Sequence, residues 1–185
     1  MHKNKLITLL GILERKEMTR FCAFIQSPYF NKHQDVRVLL KYLEGIHPQF
    51  TEKNCERRLL FQQVFPNKKH QQAKLAIVFT YALRLLEDFL AEEWFRSAKR
   101  LRQIALLQQL RLRKQYRHYE KIRKQTERQF QTYAQQDSEQ YWWLYRLAGE
   151  TDAYFDQRQI RQHDLSIQQK QNNLDHFFLA ENQSN

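Results

Sequence analysis

Seven histidines, His2, His33, His47, His70, His118, His163 and His176, are the side chains best suited by type to acid–base work or to holding a metal. Chelation along one helix needs two of them four residues apart, and no pair has that spacing. His163-Asp164 and Asp175-His176 are the only His/carboxylate neighbours, and adjacent helical side chains diverge by about 100°, so neither makes a dyad. Surface or capping roles account for them. No GxSxG, HExxH, P-loop, dinucleotide fingerprint or EF-hand loop occurs, and three glycines cannot build a phosphate cradle. Cys22 and Cys55 lack CxxC or other metal spacing and read as reduced, buried or half-buried thiols. The chain is expected to be no enzyme, with no catalytic residue, no cofactor and no metal.

Charge is the chemistry the sequence does supply. The net +11 is uneven: residues 1–95 hold 15 Lys+Arg against 10 Asp+Glu, residues 96–128 hold 12 against 2, and residues 129–185 hold 4 against 8. Leu112, Tyr116, Tyr119, Ile122, Thr126, Phe130 and Tyr133 follow helical spacings, and Arg113, Arg117, Lys121, Lys124 and Arg128 make a second stripe beside them. With Arg111 and Lys114 added, these basic residues are the candidate contacts for nucleic acid or an acidic partner. Six engaged phosphates would make log affinity fall with log salt at a slope of about −5. The competing reading is a solvated face neutralised by Glu120, Glu127 and the acidic C-terminal third.

A second candidate surface is the aromatic run containing Trp142, Trp143 and Tyr145. Such rings can stack on bases or seat a partner helix, although aromatics at helical spacing also build cores. Trp142 and Trp143 point to different sides, so one faces outward unless another layer covers it.

The elements that must position these residues are helices. Strands joined by tight turns would need more glycine and proline than three of each. Lys74 to Phe95 carries the longest apolar pattern, with Val78, Phe79, Ala82, Leu86, Phe89 and Leu90 within about 60° of Leu75 on a helical projection, which makes it the spine of the core. Its apolar run is too short and too interrupted by Thr80 and Arg84 to span a membrane. Before it, a helix over Glu17 to Gln26 stops at Ser27-Pro28. Tyr29 and Phe30 plug the corner, and Asn31 caps a helix that runs to about Glu44 before Gly45 and Pro48. Thr51 caps a helix to Val64, and Asn67 caps the spine. After Phe95, Ser97 is the one local break signal before the basic segment. Asp137 or Ser138 caps a helix that weakens or ends at Gly149, and a last helix over Asp164 to Ala180 buries Leu165, Ile167, Leu174, Phe177 and Phe178.

SPYFN after the FCAFIQ helix, followed by NxxQD and a VFP corner, resembles the N-terminal region of a poorly characterised group of bacterial all-helical proteins. The resemblance rests on Ser27, Pro28, Tyr29, Phe30, Asn31, Phe65 and Pro66 and covers the first half of the chain. It implies a helical fold that continues as further helical pairs, and no activity. The later helices have the texture of tetratricopeptide hairpins without that repeat's spacing or period.

The sequence therefore predicts an all-α protein: an N-terminal helical bundle over 1–95, then a basic long helix and a C-terminal helical hairpin over 96–185. The expected function is a non-enzymatic interaction or scaffold module whose partner is another protein or a second copy, in the cytoplasm and not in a membrane. The alternative is a nucleic-acid-binding protein using the basic helix 96–128.

Overall fold

The computed structural model describes residues 4–66, 68, 71–132, 137–159 and 163–183, without the side chains of 163–166 and 183. The described residues form helices and no strand: α1 (Lys5–Gly11), α2 (Arg15–Gln26), α3 (Gln34–Ile46), α4 (Arg57–Val64), α5 (Gln72–Ser97), α6 (Lys99–Leu112), α7 (Tyr116–Gln131), α8 (Ser138–Arg158) and α9 (His163–Gln183). No described helix is long and apolar enough to cross a membrane. The chain divides into two compact units, Met1–Trp94 and Phe95–Asn185.

In the first unit, α1 to α4 and most of α5 bury one continuous apolar core. Glu14 and Glu17 form a reciprocal capping box that starts α2 at Arg15, earlier than the expected Glu17, and the helix stops before Ser27-Pro28 as the proline requires. The corner that follows differs from expectation. Phe30 stacks on Phe24 with centroids 4.0 Å apart, whereas Tyr29 is 85% exposed and does not plug the gap. Asn31 caps no helix. It is buried, its Nδ2 donates to the carbonyls of Ile25 and His33, and its Oδ1 accepts from the His33 N–H, so it replaces the backbone bonds that the corner breaks. His33 stands at the N-cap of α3 instead.

Thr51 likewise caps no helix. Its hydroxyl accepts from the Asn54 N–H, while the Asn54 side chain accepts from the Thr51 N–H, closing a turn ahead of α4, whose N-cap is Glu56. The expected cap at Asn67 lies outside the described residues. Along α5, Leu75, Val78, Phe79, Ala82, Leu85, Leu86 and Phe89 enter the core. Leu90, expected on that face, is 38% exposed at its edge. Two ion pairs, Arg20 to Glu93 at 2.7 Å and Lys5 to Glu87 at 3.4 Å, join α2 and α1 to this spine.

In the second unit the basic segment over 96–128 does not run as one helix. Ala98 separates α5 from α6, beside the break signal at Ser97. The second break, at Arg113 to Gln115, has a backbone cause that owes nothing to glycine or proline. Lys114 adopts the left-handed conformation at φ 56°, its N–H donates to the Arg111 carbonyl, and the Gln115 N–H donates to the Leu110 carbonyl. This is a Schellman motif with lysine where glycine is usual. It ends α6, so Leu112, expected to begin the packed stripe, is 56% exposed.

Asp137 caps α8 by accepting from the Gln140 N–H at 2.8 Å. The helix then runs through Gly149 without ending there; a Cβ at that position would meet Lys170 Cε at an ordinary 3.8 Å. α8 and α9 pack as a hairpin, and the second core gathers Ile104, Leu107, Tyr119, Phe130, Leu147, Tyr154 and Phe155 from α6, α7 and α8.

Candidate interaction surfaces

α7 is amphipathic in an unusual sense, with an aromatic face inward and a cationic face outward. Tyr119, Thr126 and Phe130 are buried. The Tyr119 ring stacks on Tyr154 with centroids 4.1 Å apart and planes 12° from parallel, and its hydroxyl donates to the Glu150 carbonyl at 3.2 Å. Burial, reinforced by the Glu150 charge, pushes the Tyr119 phenol well above its usual pKa, so it stays a neutral donor.

Arg111 is turned inward. Its Nε donates to Glu150 Oε1 at 2.7 Å and a terminal nitrogen to Oε2 at 3.2 Å, a bidentate pair between largely buried side chains. The hydrogen bond to Glu150 raises its pKa further. Arg111, expected among the surface contacts, is thereby taken out of them: its charge is matched inside the second unit. Arg113 donates to the Gln109 carbonyl at 3.2 Å and to the Gln109 side chain. Lys114 sits in the turn.

Arg117, Lys121, Lys124 and Arg128 are exposed and make no ion pair among the described residues. They fall at i, i+4, i+7 and i+11, within about 60° of one another and over about 16 Å of helix axis. The acids expected to neutralise them are occupied elsewhere. Glu120 and Glu127 both bind Arg123, which is half-buried on the flank three residues after one and four before the other. In the acidic C-terminal third, Glu150 holds Arg111, Asp152 lies 3.8 Å from Lys170, and Glu139 contacts Arg100 and Trp143. A depression of about 610 Å³ at the head of α7 is lined by Lys114, Gln115, Tyr116, Arg117, His118 and Lys121. The Arg123 arrangement is the functional feature that sequence reasoning missed. Its signal, an arginine at i+3 from one glutamate and i−4 from another, was present.

Of the aromatic candidates, Trp142 is 36% exposed, and Trp143 and Tyr145 are half-buried. Trp142 lies in the α8–α9 seam, its ring 5.6 Å from both Tyr145 and Phe177. Trp143 donates from its indole to Glu139 at 3.0 Å and packs on the second core, and Lys170 reaches over Tyr145.

On α9 the expected buried stripe is only partly covered. Leu174 and Phe177 are half-buried, but Ile167 is 49% and Phe178 57% exposed; Leu165 lies outside the described side chains. Ile167, Leu174 and Phe178 share one flank, at i, i+7 and i+11. Among the described residues no group of three or more His, Cys, Asp or Glu side chains is arranged to hold a metal ion. Compared with known proteins, the chain matches no family model, no curated protein and no solved structure.

Proposed function

We propose that the chain is a non-enzymatic helical scaffold module that docks an amphipathic helix, supplied by another protein or a second copy, against its C-terminal hairpin. One observation carries this reading: Ile167 and Phe178 stay about half exposed on the same flank of α9, on either side of Leu174. A helix covered along one side only completes its burial when a further helix lies against the open flank, as in stacked helical hairpins. Covering the exposed half of each of these two side chains contributes about 1 kcal/mol, half the usual value for full burial. The pair is therefore worth roughly a 30-fold change in affinity.

The test is sedimentation velocity of the purified chain over a wide concentration range, together with isolation from its native host. Concentration-dependent self-association, or a stoichiometric partner that binds through a helix, is expected. Ile167→Asp with Phe178→Asp should remove either while leaving the circular dichroism spectrum unchanged. A strictly monomeric chain that captures no such partner overturns the proposal.

A further inference from the structure

We infer that the outer face of α7 is a track for the phosphate backbone of duplex nucleic acid, bound without regard to sequence. The track is Arg117, Lys121, Lys124 and Arg128, extended at its head by Lys114 through the depression that Lys114, Arg117 and Lys121 line together. This surface is separate from the α9 flank and stands or falls independently of it.

Three observations select the ligand class. The four cations lie in one row along about 16 Å of axis, and each strand of duplex DNA presents about one charge per 3.4 Å, so the row spans some five phosphates of one strand and can engage several at once. None of the four is in an ion pair among the described residues, because both glutamates of α7 turn to Arg123, which cancels one of their two charges. Finally, the row is bordered on one side by His118, Gln125 and Gln129, all exposed and polar, and on the other by Glu120 and Glu127 in their pairs with Arg123.

Those borders disfavour the other polyanions. An interfacial helix enters a membrane by its apolar face, and the apolar face of α7, Tyr119, Thr126 and Phe130, is already buried. An acidic peptide docking as a helix needs apolar pockets beside the charges, which the row lacks. Single strands are held by rings that stack on bases. The tyrosine at the head of the row, Tyr116, is instead covered by Arg158 at 4.7 Å and by Tyr154 at 5.9 Å. What remains is contact with a backbone whose bases are already paired.

Fluorescence anisotropy with a mixed-sequence DNA duplex and an RNA duplex of the same sequence tests this across a potassium chloride series. With five phosphates engaged, log affinity should fall with log salt at a slope of about −4.5, equally for unrelated sequences. Arg117→Gln, Lys121→Gln, Lys124→Gln and Arg128→Gln combined should weaken binding about 100-fold or more near 0.1 M salt and cut the slope to about −1. All four side chains are exposed, so circular dichroism and melting temperature should not move. As a control for net charge, Lys41→Gln, Lys53→Gln, Arg57→Gln and Arg58→Gln remove the same charge from exposed sites of the first unit and should cost only a few-fold. Equal loss in the control overturns the inference. So does absent or salt-insensitive duplex binding, tighter binding of a single strand than of the duplex, or stripe-dependent binding of polyglutamate or phosphatidylserine vesicles in place of the duplex.

Discussion

Neutralising one partner of the Arg111–Glu150 pair should unfold the second unit far more readily than any change on the α7 stripe. The two side chains are 15% and 8% exposed, joined by two hydrogen bonds, and Glu150 is further fixed because its carbonyl accepts from Tyr119. Glu150→Gln leaves a guanidinium in that site without its charge partner. Breaking a fully buried pair costs about 3 to 5 kcal/mol, and the residual exposure of Arg111 brings the expectation to about 2 to 3 kcal/mol. Arg111→Met strands the carboxylate at a similar cost. The double variant, Arg111→Met with Glu150→Leu, should recover most of the loss, because two apolar side chains of similar volume need no partner.

Urea denaturation is the assay, followed by tryptophan fluorescence from Trp142 and Trp143, with Trp94 replaced by phenylalanine throughout, and separately by far-ultraviolet circular dichroism. Two probes are needed because a chain of two units need not unfold in one step. Single variants that each lose less than about 0.5 kcal/mol, with a coupling energy near zero, would place the pair among ordinary surface bridges and refute the reasoning. A functional corollary sharpens the test. Arg111→Met should leave the salt slope for duplex binding unchanged, since its charge is spent inside the protein.

Two further outcomes are expected. Burial, with help from Glu44, pushes the Cys22 thiol up to about 12. The unfolded chain therefore releases that proton first: the stabilisation is complete below pH 9 and disappears as pH rises from 9 to about 12. Cys22→Ala should flatten this alkaline loss in melting experiments, and Cys22 in the folded wild type should resist a thiol reagent at pH 8; prompt labelling under native conditions would contradict its burial. Gln159 ends α8 in the left-handed conformation at φ 53°. Gln159→Gly should raise stability by about 0.5 to 1 kcal/mol by relieving that strain, and a loss on thermal unfolding would show that the side chain holds something the backbone geometry does not reveal.

The parts legible in the sequence are those written by local chemistry. Ser27-Pro28 stops α2, Gly45 and Pro48 flank the end of α3, and Asp137 caps α8, each because one residue restricts or completes the backbone there. The turn at Ala98 follows the break signal at Ser97, but the break at Lys114 is not legible in this way. Lysine has no preference for φ 56°, and its place in the Schellman turn follows from tertiary demands on both sides: Arg111 must reach Glu150, and Tyr119 must stack on Tyr154. Asn31 and Thr51 mislead for the opposite reason. Their side chains can cap helices, and the same oxygens serve equally well in corners and turns. For the candidate surfaces, periodicity found the stripe from Arg117 to Arg128 but not its neutrality balance, which depends on which base each glutamate chooses. The α9 stripe read as core because an amphipathic pattern records a face that wants cover without recording whether this chain provides it.

Arg123 has a consequence that reaches beyond its own ion pairs. Glu120 stands three residues after Arg117 and four before Lys124, and Glu127 stands three after Lys124, spacings at which helical side chains meet. Without Arg123 the two carboxylates would turn to the row itself and quench Arg117 and Lys124 from within. Arg123 thus sets the charge balance of the α7 surface from its flank. A substitution there would give Arg117 and Lys124 carboxylate partners, each contact worth about 0.3 to 0.5 kcal/mol, while every cation in the row remained in place.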